Sequence, residues 1–206
     1  MSSAIELADE SGLEALSMRT LAGRFGVTAM SLYNHVANKD EILEGMVDAV
    51  FDEIEIPDAA DWKEAIQKSS MSALEALVRH PWATSLMMSN RSAGPSRLRH
   101  GEWLLRTLRS ANLSDEMIFH AYHALESHLL GWTLQQQNFP YQGDELTDVV
   151  QSYLREFPVD DYPDMGVHIK QHINPGERKH TGFEFALHII LDGLERARDA
   201  ESARSD

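Results

Sequence analysis

The chain contains no cysteine, which removes both a disulfide framework and any cysteine-ligated metal from consideration. Long hydrophobic runs are missing as well. The longest apolar stretches last a few residues, as over 186–191 with His188 inside, against the roughly 20 that span a bilayer, so no membrane partner is expected. A secretory leader needs a basic start and then an apolar block; Glu6, Asp9 and Glu10 stand there instead, which points to the cytoplasm. Glycine (12) and proline (7) are sparse in 206 residues, excluding collagenous and low-complexity chains. Positive charge is scarce too: 18 Lys plus Arg face 33 Asp plus Glu, a net charge of -15. A field of that sign repels polyanions at long range, so any contact with nucleic acid must come from a local patch. Catalytic signatures are also absent. There is no Gly-x-Ser-x-Gly elbow, Walker loop or Gly-x-Gly-x-x-Gly, and Asp160 with Asp161 has no partner base, so an enzyme is not expected.

What the sequence does have is helical spacing from end to end, without a competing strand pattern or an internal repeat, which predicts an all-α fold. Ile42, Leu43, Met46, Val47, Val50, Phe51 and Ile54 follow a 3.6-residue period, and Asn38 with Glu41 forms a capping-box start, predicting a helix over 39–54. Ile56-Pro57-Asp58 breaks the pattern. This divides a small head, 1–56, from a larger body, 57–206. Body helices are expected over 62–79, from Pro81 onward, and over 95–110, 114–136, 144–157 and 181–198. Ser114 ahead of Asp115 and Glu116, and Thr181 with Glu184, are plausible helix starts. The stretch 158–180 reads as a loop holding one short helix at 165–172.

In the head, Ser17 can cap a helix through Phe25 whose inner face is Met18, Leu21, Ala22 and Phe25. Gly26 permits a sharp turn, and Thr28 can cap a second helix over 28–36. Its Leu32 and Val36 turn inward, leaving Ala29, Met30, Ser31, Tyr33, Asn34 and His35 outward or partly so. That is helix-turn-helix spacing. Short polar and aromatic residues at the start of such a helix suit a major groove, where hydroxyls and amides meet base edges and an apolar Ala29 or Met30 can touch a thymine methyl. Tyr33 and Lys39 suit phosphate oxygens. From 18 to 39 the chain carries Arg19, Arg24 and Lys39 and no acid at all, although acids outnumber bases overall.

Gly12-Leu13-Glu14-Ala15-Leu16-Ser17-Met18-Arg19-Thr20-Leu21-Ala22, then Gly26-Val27, then Ser31-Leu32-Tyr33-Asn34-His35-Val36-Ala37-Asn38-Lys39, resembles the DNA-binding head of the tetracycline-repressor family. The resemblance implies a homodimeric transcriptional regulator, usually a repressor, released from double-stranded operator DNA by a small-molecule effector. Carried over by position, Arg19, Thr28, Ala29, Met30, Ser31, Tyr33, Asn34, His35 and Lys39 fall where family members touch DNA. One departure is that the family usually has a longer first helix, often behind a basic arm, whereas no base precedes Arg19 here. Either the start is truncated or affinity relies on the two recognition helices, each lost phosphate contact lowering the salt slope by about one.

The body is similar to the tetracycline repressors themselves through His80-Pro81-Trp82, Gly94-Pro95, the helix over 114–136, and Phe183-Glu184-Phe185-Ala186-Leu187 leading to Leu191-Asp192-Gly193-Leu194. That implies a helical ligand-binding domain whose last two long helices pair with their symmetry mates. Phe183, Ala186, Leu187, Ile190, Leu191 and Leu194 make one face, and Ala124, Gly131, Ala186, Gly193 and Ala197 are small residues at helical spacing that let backbones approach. Trp82, Leu86, Asn90, Trp103, Phe119, Tyr122, His123 and Glu126 are the candidate ligand contacts. Tetracycline-binding members hold the drug's magnesium on a histidine shortly before the Gly-Pro turn; no His lies between His80 and His100, so that ligand is not expected. His168 with His172, and His120 with His123, have ligand spacing and could hold a metal with a third ligand such as Glu126, but two ligands are not a metal site, and no metal or cofactor is expected. The competing readings are a helical adaptor that binds only protein, which predicts no salt-dependent DNA affinity, and a metal-responsive regulator without a small-molecule inducer.

Overall fold

Side-chain caps fix where the helices of the head begin. In the computed structural model, which describes residues 1–89, 94–139, 141, 143–173 and 181–205, helix α1 (Ser2–Ser11) is followed by a 3₁₀ turn (Leu13–Ala15) and then α2 (Met18–Phe25). Ser17 starts α2 reciprocally: its Oγ accepts the Thr20 amide at 3.1 Å, and its own amide donates to Thr20 Oγ1 at 2.9 Å. Gly26, with φ 66°, supplies the left-handed residue that turns the chain. Thr28 Oγ1 then accepts the Ser31 amide at 3.3 Å to start α3 (Ala29–Tyr33). Asn38 Oδ1 accepts the Glu41 amide at 2.9 Å at the head of α4 (Lys39–Asp52). Helix α3 is shorter than the expected 28–36, because the amides of His35 and Val36 both turn back to the Leu32 carbonyl and close the helix there.

The body follows as α5 (Trp62–Arg79), α6 (Pro81–Ser89), α7 (Pro95–Ser110), α8 (Asp115–Asn138), α9 (Gly143–Glu156), α10 (Pro163–Gln171) and α11 (Gly182–Ser205). Among the described residues there is no strand. Helix α10 begins earlier than the sequence suggested, with Pro163 in its first turn. Helix α11 runs past 198 because Arg198 is engaged there, pairing with Glu195 and Asp199 and donating to the Ala111 carbonyl at 3.2 Å. Ser114 stands at the start of α8 but its hydroxyl makes no capping bond, leaving Asp115 and Glu116 to meet the positive helix end. Thr181 and Glu184 do form their box, with the Thr181 amide donating to Glu184 and the Glu184 amide to Thr181.

Two apolar clusters hold these helices. One joins Ala4, Ala8, Leu16 and Leu21 of the head to Ile42, Met46 and Val50 of α4 and to Leu77, Trp82 and Met87 of α5 and α6. The other packs Ile66, Leu104, Leu108, Ile118, Leu125, Phe183, Leu187 and Leu191. Helix α4 therefore belongs to head and body at once, and the break at Ile56-Pro57-Asp58 lies in the chain path, not in the packing. Phe25, expected on the inner face of α2, is half exposed. Polar bonds reinforce the junction. Asp9 of α1 accepts from Trp82 Nε1 at 2.6 Å and pairs with His80 Nδ1 at 2.9 Å, while His80 Nε2 lies 3.2 Å from Glu53. No helix among the described residues is long and apolar enough to cross a membrane.

Candidate DNA interface and effector cavity

The turn at Gly26 leaves α3 on the surface with its outer side bare. Met30 is 74% exposed and Tyr33 49%, and Arg19, Thr28, Asn34, His35 and Lys39 are exposed as well. Ala29 and Ser31 are half-buried. Ser31 and His35 also border an open apolar hollow of about 470 Å³ inside the head, lined further by Leu21, Phe25 and Ile42. The Thr28 hydroxyl is engaged as a cap, so it has one lone pair to spare. Charge sorts the three bases of this region. Arg24 is held by Glu10 through two bonds, of 2.8 and 3.0 Å, with Glu6 at 3.8 Å, and is neutralised from α1. Arg19 and Lys39 have no ion-pair partner among the described residues, so the positive charge of the patch rests on these two.

Below the head, α4 to α8 enclose a cavity of about 60 Å³. Its walls are mostly apolar, including Phe51, Ile66, Trp103 and Leu125, with Ser69, Ser70, Arg97, His100, Tyr122 and Glu126 as the polar members. Ser69 Oγ and His100 Nε2 are hydrogen-bonded at 3.1 Å. Burial pushes the His100 imidazole down to about 4, so it is neutral at pH 7. The same desolvation, helped by the nearby Glu126 carboxylate, raises the Tyr122 phenol. Arg97 lies 5.7 Å from the centre of the Phe51 ring and 3.8 Å from Glu126.

Of the residues read from the sequence as ligand contacts, Trp103, Tyr122 and Glu126 line this cavity. Trp82 is buried at the head–body junction with its indole on Asp9, and Leu86 packs against the cluster shared with the head. Asn90 lies outside the described residues. Sequence spacing does not single out Arg97, His100, Phe51 or Ser69. Helical period carries the signal for two of them, since Arg97, His100 and Gly101 precede the buried Leu104 and Leu108 on one stripe of α7.

Compared with known proteins, residues 1–46 match the family described as bacterial regulatory proteins, tetR family, and residues 56–198 match the tetracyclin repressor-like C-terminal domain. The chain belongs to the tetracycline-repressor family. It is 30% identical over 204 residues, 93% of this chain and 74% of the relative, to the transcriptional repressor DrrR1 of Streptomyces coeruleorubidus. It is 32% identical over 166 residues, 79% of this chain and 70% of the relative, to an HTH-type transcriptional regulator of Saccharopolyspora erythraea. Among solved structures, apo ActR of Streptomyces coelicolor superposes with a TM-score of 0.80 at 28% identity, covering 97% of this chain and 94% of that one. ActR has also been crystallised with actinorhodin and with (S)-DNPA. As a family member the chain is a DNA-binding transcription regulator and not an enzyme, and regulators of this family dimerise and bind small-molecule effectors.

Against that family background, the outer faces of α8 and α11 are informative. Helix α8 buries Ile118, Ala121 and Leu125, which turns Phe119 and His123 the other way: Phe119 is 60% exposed, His123 is exposed, and neither reaches the cavity. On α11, Phe183, Leu187 and Leu191 face inward, whereas Phe185 (60% exposed) and Ile189 form an outer apolar stripe with Gly193 next along it. Side chains built at Gly131 and Gly193 would meet open space. His168 and His172 stack edge-on at 5.2 Å, and His120 and His123 pack on Phe119, with His123 Nδ1 4.0 Å from Glu126. Among the described residues no group of three His, Asp or Glu is placed to hold a metal.

Proposed function

We propose that this regulator is a dimeric operator-binding repressor whose hold on DNA is released by a flat aromatic small molecule. The observation that carries the reading is the exposed side of α3 and the turn after it, where Met30, Tyr33, Asn34 and His35 stand beside Arg19 and Lys39, two bases without an ion-pair partner among the described residues, on an otherwise acidic chain. Arg19, Lys39 and Tyr33 meet phosphates, Thr28 and Ser31 offer hydroxyls, and Ala29, Met30, Asn34 and His35 face base edges. The head over 1–56 reads DNA, the body over 57–206 senses the effector, and the protein works in the cytoplasm with its operator.

Two heads reach successive major grooves only when held about 34 to 36 Å apart, which demands a fixed dimer. Phe119, Phe185 and Ile189, with Gly131 and Gly193 allowing close approach, are the surface through which α8 and α11 pair with a second copy. The effector takes the cavity among α4 to α8. At about 60 Å³ it is far below the roughly 300 to 1,000 Å³ of a small-molecule pocket, so a ligand spreads its walls on binding. Aromatic walls at Phe51, Trp103 and Tyr122, with the Arg97 cation and a neutral His100, favour a planar ring system carrying carbonyl or acidic oxygens. That ActR has been crystallised with actinorhodin and with (S)-DNPA supports a small-molecule effector.

The test is selection of duplexes from a random pool by the purified protein. The expected product is a two-fold symmetric site with half-sites about one helical turn apart. A protein that enriches no duplex, or only single asymmetric half-sites, is not this regulator.

A further inference from the structure

Helix α7 begins without a cap of its own. Gly94, at the capping position, has no side chain to accept the free amides of the first turn. Those amides are satisfied from another helix: Asp48 Oδ1 of α4 accepts from Ser96 N at 2.8 Å and Arg97 N at 3.0 Å. The two features require one another, since a Cβ at Gly94 would lie 2.7 Å from the Asp48 Cβ and closer still to its carboxyl group. One turn further along α4, Asp52 accepts from Arg99 at 2.6 Å on the same stretch of α7.

We infer that Asp48 is the positioning residue through which the effector cavity sets the orientation of the DNA-reading head. This rests on the operator reading above. Asp48 occupies the middle of α4, whose start at Lys39, roughly 13 Å away along the axis, belongs to the DNA face. Its bonds end on the turn of α7 that supplies Arg97, His100 and Gly101 to the cavity. A carboxylate at a helix N-terminus is held by two amides and the helix dipole together, so α7 and α4 move as one piece at this point. When a ligand displaces the first turn of α7, Asp48 carries α4 and the head with it. Phe51, also on α4, lines the cavity directly and gives the ligand a second hold on the same helix.

The experiment moves the carboxylate from one helix to the other. Asp48→Gly alone removes the cap; Asp48→Gly with Gly94→Asp restores it within α7, where φ -69° and ψ 169° suit an ordinary capping residue, but leaves α4 unattached. Two readouts are taken: affinity for the duplex selected by the wild type, and the distance distribution between spin labels at Glu14→Cys and Glu116→Cys, labelled protomers being diluted into unlabelled ones. The exchanged variant is expected to regain the part of the melting temperature that the α7 cap contributes, the rest of the loss by Asp48→Gly being the cost of a glycine inside α4. It still binds the duplex about tenfold more weakly than the wild type, because the competent head orientation is a smaller fraction of the whole, and its distance distribution stays broad. Recovery of wild-type affinity and spacing along with the melting temperature overturns the inference, since Asp48 then serves only as a cap. Should the exchanged variant not fold, Asp48→Ala with Gly94 kept decides the same question: weaker affinity and broadened spacing support the coupling, and unchanged affinity and spacing despite lost stability refute it. If the wild type selects no duplex, the operator reading fails, and the spin-label distances decide on Asp48 by themselves.

Discussion

His100 ties the cavity proposed for the effector to a pH dependence whose sign follows from its burial. An unfolded chain takes up a proton on histidine at about 6.5, whereas folded His100 resists until about 4. Between those values the unfolded state binds more protons, so the contribution is whole above 6.5 and is lost as pH falls through the window towards 4. Near pH 4.5 the loss through this one residue is about 2.5 kcal/mol by linkage, reduced to about 2 kcal/mol for the part of the ring that water still reaches. For a chain of this size that corresponds to a fall of roughly 4–8 °C in melting temperature. The assay compares the wild type with His100→Gln, which keeps a hydrogen-bonding group for Ser69, by denaturant titration at pH 7.5 and pH 4.5. Protomer concentration is held constant because association shifts apparent stability. Other carboxylates titrate equally in both proteins, so the difference of differences isolates His100. The wild type should lose about 2 kcal/mol more than the variant on acidification. Equal losses would refute the assignment of His100 as a buried neutral imidazole.

Other substitutions test the head, its junction and the dimer. Tyr33→Ala should weaken operator binding at least about tenfold while changing stability by less than about 1 kcal/mol, because the ring is half exposed; calorimetry and a gel shift together check this, and a large stability loss would move the ring into the core. Asp9→Ala strips the acceptor from the buried Trp82 indole and from His80, so unfolding free energy should fall by about 2–5 kcal/mol in urea titrations. Phe185→Glu places a charge on the outer stripe of α11 and should shift the protein towards monomer in sedimentation, with helicity retained.

Local chemistry made much of the fold legible. The pairs Ser17–Thr20, Asn38–Glu41 and Thr181–Glu184 act across three residues, so their effect can be read from the chain without knowing any neighbour. The turn at Gly26 is legible for the same reason. What escaped the sequence depends on partners far along the chain. Arg24 looks like a DNA-facing base until Glu10 comes across from α1 to hold it. Gly94 reads in the chain only as half of a Gly-Pro turn, until Asp48 fills the space above it. In α8, periodicity separates Phe119 and His123 from Tyr122 and Glu126, but both faces carry aromatic and polar groups, so period alone does not say which one turns to the cavity. The proposed seam on α11 is hidden in the same way: Phe183, Leu187 and Leu191 form the helix's most regular apolar face, and the subunit's own core takes it.

The salt dependence of operator affinity tests most directly whether a small basic face on an acidic chain reads DNA. Across a series of ionic strengths, log Kd should rise steeply with log salt, and Arg19→Ala should flatten the slope by about two, one phosphate contact being lost from each protomer of the dimer. A slope near zero, or one that Arg19→Ala and Lys39→Ala both leave unchanged, would contradict the assignment of this face as the DNA reader.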